Sequence, residues 1–359
     1  RNDLDNQFYK TFLRTGYDKL AKQAETIEDL RKKLENAGAE LIFTTIQKFA
    51  EDFDALSERK NIIVIADEAH RTQYAELASR ARKALPNASF MGITATPISL
   101  SNRSTRFVFG DYIDIYTMNQ SVEDGATVPI YYESHLAPLH FTNYFIDEEF
   151  DDLTQEMDFE TKESFKKKFA RLEKAVSAPE RLQKIAEDIV NHFNNRGING
   201  KAMVVTISRK TAVEMYKLIS KIPNAPKTAV VISKPEEFKN EIQEETRASE
   251  IERQFKRTDD PLKMVIVCDM WLTGFDVPPL DTMYFDKPLK NHTLMQAIAR
   301  VNRVFRDKEG GLIVDYIGIA DDLSKALNIF NSSDVKGVMI PIQDIINKMK
   351  EKYDIVKSM

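Results

Sequence analysis

The chain has a single cysteine, Cys268, among 359 residues, so no internal disulfide can form. Cys268 lies in the apolar run MVIVC and reads as a core residue rather than a nucleophile. With no disulfide to maintain, a reducing cytoplasm is the default location. No apolar run reaches the ~18 residues of a membrane span, so no membrane partner is expected. The first residues, RNDLDNQFYK, are polar and charged, unlike a signal peptide. Positive charge is not in excess either. A formal net charge of -5 argues against a generally basic coat, although a local basic track remains compatible with it. One cysteine and five scattered histidines exclude the usual zinc-ligand spacings.

What is present fits globular α/β domains. The length suits about two domains, and 42% hydrophobic with 30% charged residues suits real cores. Residues 17–37 have helical spacing. Residues 40–43 and 61–66 are short apolar runs that read as buried parallel strands. A helix over 72–85 and a strand over 88–94 follow. From Asp147 to about Lys174 the chain is dense in Glu, Asp and Lys, and reads as a helical connector. Pro179 can open a helix over 180–195. A second alternating block then places strands at 201–207, 228–232, 263–268, 281–285 and 311–315, with helices at 209–221 and 247–257. Helical patterns at 321–330 and 341–353 close the chain. Alternating strands and helices imply crossover units around parallel sheets.

The strongest local signal is Ile62-Ile63-Val64-Ile65-Ala66-Asp67-Glu68-Ala69-His70. An apolar strand ending in two carboxylates places them at a sheet's carboxyl edge, where α/β folds bind ligands. Asp67 suits Mg2+ held through water, because this hard ion takes oxygen ligands. Glu68 suits polarising an attacking water. An isolated Asp-Glu pair would read as an acidic helix start favoured by the dipole, but the whole string is more specific. One strand and helix later comes Gly92-Ile93-Thr94-Ala95-Thr96-Pro97. The hydroxyls of Thr94 and Thr96 can hydrogen-bond those carboxylates.

Two further strings lie in the second block. In Thr273-Gly274-Phe275-Asp276, Gly274 permits a tight turn, and Asp276 can accept from ribose, water or an arginine; an ordinary turn is the alternative. In Gln296-Ala-Ile-Ala-Arg300-Val-Asn-Arg303, a continuous helix would put Gln296, Arg300 and Arg303 on one face. Two guanidiniums suit nucleotide phosphates, and arginine fingers stabilise charge where a γ-phosphate leaves. A basic surface helix is the alternative.

In this order the four strings resemble motifs II, III, V and VI of superfamily 2 helicases. The flanks narrow the resemblance. Asp3-Leu4-Asp5-Asn6-Gln7 and Thr44-Thr45-Ile46-Gln47-Lys48-Phe49 are similar to the motif Ia and Ib regions of type I restriction enzyme R (HsdR) motor subunits. So are residues 109–139 and the run from Val267 to Phe305. The resemblance covers nearly the whole chain. It implies an α/β fold of two RecA-like parallel-sheet lobes, over 1–140 and 180–320. A charged connector at 141–179 would join them, and a C-terminal helical region would start at 321–359. The family's motor pumps double-stranded DNA without fully unwinding it, hydrolysing ATP with Mg2+ between the lobes. A nuclease domain precedes the motor, and modification and specificity subunits are its partners. The carried-over nucleotide contacts are Asp67, His70, Thr94, Thr96, Gly274 and Asp276. Catalysis would fall to Asp67, Glu68, Gln296, Arg300 and Arg303. Arg1, Thr44, Gln47, Lys48, Ser208, Arg209 and Thr273, in loops after strands, suit DNA phosphates; capping or plain surface charge is the equal alternative.

The chain also departs from the family pattern. It has no Walker A string. The nearest imitation, Gly197-Ile-Asn-Gly200-Lys201-Ala202, lacks the spacing and the Ser/Thr, and its lysine enters a strand. The family's P-loop and nuclease residues precede motif Ia. The chain is therefore expected to begin after both and to be inactive by itself. Two other readings remain open: another superfamily 2 member, such as a type III restriction subunit or a DEAH helicase, or a non-catalytic docking platform for DNA or subunits. The absence of an HRxGRxxR string argues against the DEAD-box branch.

Overall fold

The computed structural model describes residues 9, 12–13, 15–35, 38–49, 55–67, 74–94, 109–135, 172–173, 175–238, 241–242, 248–272, 275–289, 291–319 and 339–341. The chain divides into two compact units, Arg1–Ile115 and Tyr116–Met359.

In the first unit, β1 (Ala21–Gln23) and β2 (Leu41–Phe43) pair in parallel around α1 (Ile27–Glu35). β3 (Ile63–Ala66) and β4 (Ser89–Gly92) pair in parallel around α2 (Tyr74–Ala84). The single helix expected over 17–37 is therefore interrupted by β1. Thr26 explains the break. Its hydroxyl accepts the Asp29 amide at 3.1 Å, and the Asp29 carboxylate accepts the Glu25 amide at 3.0 Å. This reciprocal cap starts the helix at residue 27. Leu30, Leu34, Phe49, Leu56, Ala84 and Leu85 form the core, with Ile42, Val64 and Phe90 turned toward it. The alternate residues of β3 face away, leaving Ile63 71% and Ile65 56% exposed. A strand expected to be buried on both faces is thus covered on one.

The second unit is built on one seven-stranded parallel sheet. Its strands are β5 (Ile130–Ser134), β6 (Lys201–Thr206), β7 (Lys227–Val231), β8 (Leu262–Val267), β9 (Leu280–Asp286), β10 (Gly311–Asp315) and β11 (Met339–Pro341). The spatial order is β11-β5-β10-β9-β6-β8-β7. The helices bounded within the described residues are α3 (Met118–Glu123), α4 (Pro179–Asn195), α5 (Arg209–Lys221), α6 (Ala248–Lys256) and α7 (Asn291–Val301). Pro179 stands in the first turn of α4, as the sequence suggested. The stripe Leu182, Ile185, Ala186, Ile189 and Val190 buries that helix. Alternation along β6 separates two cores. Ala202 and Val204 face the layer that includes α4 and α5, whereas Met203 and Val205 face the one that includes α6 and α7.

The seam falls earlier than residue 140. The expected lobe boundary at 140 assigns β5 to the first lobe, but β5 pairs with β10 and β11. Ile130 and Tyr132 are buried in the second unit's core, and the Tyr132 hydroxyl donates to Asp315 Oδ2 at 2.5 Å. Most of the expected connector and the helical pattern at 321–330 lie outside the described residues, and of the pattern expected over 341–353 only Pro341 is described, as the last residue of β11. Among the described residues, no helix is long and apolar enough to cross a membrane.

Lys201, the lysine of the Walker-like imitation, is 1% exposed. Its Nζ donates to the carbonyls of Leu262 at 2.7 Å and Gln254 at 3.1 Å, and lies 5.5 Å from the centre of the Phe255 ring. It is committed to the core and cannot cradle a phosphate. Burial lowers its pKa to about 8 from about 10.4 in an unfolded chain. In that window the native state holds fewer protons than the unfolded state. The fold therefore gains stability as pH rises from about 8 to about 10.4, a gain on the order of 1–3 kcal/mol. Denaturant melts should show this slope in the wild type and a clearly shallower one in Lys201→Met, where Lys308, also lowered to about 8 by burial, supplies the remainder. Parallel pH profiles for the two proteins would remove the buried-ammonium account.

Candidate functional site

In the first unit, Ala66 is registered opposite Gly92, and the Ile93 amide donates to the Ala66 carbonyl at 2.8 Å. Asp67 and Thr94 therefore leave the same carboxyl edge, as the sequence reading requires. Asp67 is exposed. Glu68, His70 and Thr96 lie outside the described residues, as do Arg1, Thr273 and Gly274. Thr44 directly follows β2, and its buried hydroxyl finds no hydrogen-bond partner among the described residues. Lys48 Nζ stands 3.4 Å from Thr45 Oγ1, and Gln47 is exposed on the same short turn.

In the second unit, the loop after β8 meets the end of α7. Trp271 enters that loop with φ 69°, a left-handed conformation costing about 1–2 kcal/mol for a residue with a side chain. It is held by stacking on Phe275, with ring centres 4.0 Å apart. Next to that ring the chain presents two acceptors, the Phe275 carbonyl and the Asp276 carboxylate. Arg300 donates through Nη1 to the Phe275 carbonyl and through Nε to the Gln296 carbonyl at 3.1 Å. Arg303 Nη1 stands 2.6 Å from Asp276 Oδ1, as an ion pair without hydrogen-bond alignment. Both partners of that pair are nearly two-fifths exposed. Two strings far apart in sequence thus converge on one patch.

The expected shared helix face is corrected here. α7 ends at Val301. The Val128 amide donates to the Asn302 carbonyl at 2.7 Å, and Arg303 makes an isolated antiparallel bridge with Thr127. Arg303 therefore reaches Asp276 from extended chain, beyond the helix. Gln296 is buried, at 6% exposure. Gly311 fixes this exit, because a Cβ there would stand 2.4 Å from the Val301 carbonyl oxygen. Neither the Phe275 carbonyl nor Thr127 was identified from sequence. Backbone acceptors and bridge partners leave no side-chain pattern to read. Nearby, Lys308 is lowered to about 8, mainly by burial and partly by the Arg303 charge; the Asp281 charge opposes the shift.

Ser208 and Arg209 open α5 at the carboxyl end of β6. The Ser208 hydroxyl accepts the Thr211 amide at 3.2 Å and so caps the helix. Arg209 pairs with Glu237 at 2.8 Å and donates to the Ser233 carbonyl at 3.2 Å. Both border a cavity of about 320 Å³, with Glu173, Cys268, Asp269 and Met270 also on its wall. This depression lies at the sheet's carboxyl edge.

Comparison with known proteins adds to this geometry. Residues 1–163 match the SWI2/SNF2 ATPase family model, and residues 162–318 match type I restriction enzyme subunit R domain 3. A Methanocaldococcus jannaschii protein named as type I restriction enzyme MjaIXP endonuclease subunit is 52% identical over 100% of this chain and 36% of its own length. The type I restriction enzyme HindI endonuclease subunit of Haemophilus influenzae is 41% identical over 100% of this chain and 37% of its own length. The chain thus spans a little over a third of these relatives. The solved fragment of a Vibrio vulnificus HsdR subunit has a similar fold, with a TM-score of 0.57 at 20% identity over 86% of this chain and 52% of that one. Homology that runs unbroken from residue 1 through the second unit's sheet places the chain in the type I restriction enzyme R-subunit family, as a portion carrying superfamily 2 helicase-like ATPase domains.

Proposed function

We propose that this chain is the motor portion of an R subunit that hydrolyses Mg-ATP to move double-stranded DNA, in a cytoplasmic complex with modification and specificity subunits. The observation that carries the reading is the meeting of Arg300 and Arg303 with Phe275 and Asp276. Arg300 is held in place by two backbone acceptors. Arg303, more exposed, is paired with a carboxylate that can release it to a phosphate. In this reading Asp67 holds Mg2+ through water, Glu68 polarises the attacking water, and His70, Thr94 and Thr96 sense the nucleotide. Gly274 and Asp276 complete the nucleotide contacts, and Arg303 stabilises charge as the γ-phosphate leaves.

Glu68→Gln keeps size and most hydrogen bonds but removes the negative charge. In the full-length subunit with its partners, it should bind nucleotide and DNA normally while DNA-stimulated phosphate release disappears. Arg303→Ala should cost about 10³–10⁵ in that rate if Arg303 acts as a finger. Near wild-type turnover in either variant overturns the role assigned to that residue.

The candidate DNA track comprises Arg1, Thr44, Gln47, Lys48, Ser208, Arg209 and Thr273. Its affinity should come from phosphates, so duplex binding should fall steeply as salt rises. Lys48→Ala and Arg209→Ala should each lower the slope of log K against log salt by about 1. Arg209 must also leave Glu237 to reach a phosphate, so its single variant has the smaller effect on affinity. Salt-independent binding by the chain would sink the track.

The burial of Lys201 favours a second statement about the chain as given. Its sequence holds no Walker A string, and the lysine of the nearest imitation is in the core, so a weak phosphate grip is expected. Calorimetry should find only weak Mg-ATP binding by this chain, and micromolar affinity would contradict the assignment.

A further inference from the structure

Two short sequence patterns outside the nucleotide strings converge in the second unit. Glu133 and His135 stand two residues apart at the end of β5, so strand alternation puts both on one face. Asp188 and His192 stand one turn apart on α4. Glu133 Oε2 lies 3.1 Å from His135 Nε2 and 3.1 Å from His192 Nε2. Each imidazole is fixed from behind. His135 Nδ1 meets Asp188 Oδ2 at 2.7 Å, and His192 Nδ1 meets the Tyr284 hydroxyl at 2.8 Å. Tyr316 in turn donates to Asp188 Oδ2 at 2.6 Å. The two imidazole rings are perpendicular, with centres 5.2 Å apart.

This is the layout of a cation site with its outer supports. Metal-bound histidines hold the second ring nitrogen on a carboxylate or another polar group, which fixes ring orientation. Here both outer nitrogens are so held, and both inner nitrogens face one carboxylate oxygen. All three inner atoms lie within 4.8 Å of one another. Around a tetrahedral zinc with bonds of about 2.0–2.2 Å, neighbouring ligand atoms stand about 3.3 Å apart. The two separations here, at 3.1 Å, need little adjustment. The three side chains are 14–24% exposed, enough for an ion to enter and for water to complete its shell.

We propose that Glu133, His135 and His192 bind a divalent cation of the zinc class, with Asp188 and Tyr284 as positioning residues for the two imidazoles. Two nitrogens and one carboxylate oxygen favour zinc-like ions over Mg2+, which prefers an all-oxygen shell. The cation would tie the end of β5 to α4. Neither the ATPase reading nor any of its residues enters this assignment. Sequence spacing concealed the site because its halves come from one strand and one distant helix.

The test titrates the chelator-stripped full chain with Zn2+, by calorimetry and by thermal melting. One equivalent should bind and raise the melting temperature, because a ligand that prefers the native state stabilises it. His192→Ala should lose this binding. Asp188→Asn should weaken it by about 10–100-fold while the circular dichroism spectrum is kept. If His192→Ala does not fold, wild-type stoichiometry and Asp188→Asn decide alone. Absence of stoichiometric binding would show an imidazole–carboxylate cluster and nothing more. Binding unchanged in the variants would place the ion elsewhere. Either result overturns the proposal.

Discussion

Because every strand pair described in the three sheets is parallel, successive strands of a sheet are joined by crossovers, and all carboxyl ends of a sheet lie at one edge. Hydrogen-bond register then decides which loops become neighbours. Pairing Ala66 with Gly92 brings Asp67 and Thr94 to the same sheet edge, one residue out of step. Pairing β8 with β6 brings the Cys268–Met270 loop beside Ser208 and Arg209. Side chains with unrelated positions in the sequence meet because the backbone ladder leaves them no other place. The nucleotide and DNA assignments both depend on this edge.

Burial on both faces of the seven-stranded sheet has an electrostatic consequence. Charges at strand ends must find partners inside the protein. Asp286, fully buried at the end of β9, accepts from Arg181 at 2.5 Å. Burial still dominates and pushes its pKa to about 6, although the guanidinium opposes the shift. Asp315, at the end of β10, accepts the amides of Ile317, Gly318 and Ile319 and the Tyr132 hydroxyl. Asp281 pairs with Arg196 at 2.8 Å. Such pairs give little net stability against an apolar alternative, but losing one partner is costly. They fix where the sheet's loops begin.

Much of this was legible from sequence because periodicity reports burial. The helix over 209–221 and the strand over 311–315 were placed as they stand, since their patterns are long or densely apolar. β1 was missed because three residues of Ala-Lys-Gln carry no β signal, although Thr26 and Asp29 announced the helix start after them. The face shared by Gln296, Arg300 and Arg303 failed because extending a helix by spacing ignores competition from a pairing partner, here Thr127 and Val128. β5 has a strand's pattern, but its sheet depends on pairing that no local string records. The Glu133–His135 and Asp188–His192 couples follow strand and helix periods, yet only the fold brings them together.

The place where the chain enters the second unit has a mechanical meaning. It leaves the first unit once, near residue 115, and reaches β5 before any other strand of the large sheet. β5 is an interior strand, flanked by β10 and β11. Its five residues are registered along their full length against Gly311–Asp315. Tension arriving along that strand would load the whole ladder in shear, with all its hydrogen bonds strained at once. An edge strand peeled from its end would lose them one at a time. The full-length register thus makes β5 hard to detach from either end, and the cluster around Glu133 sits at that strand's carboxyl end.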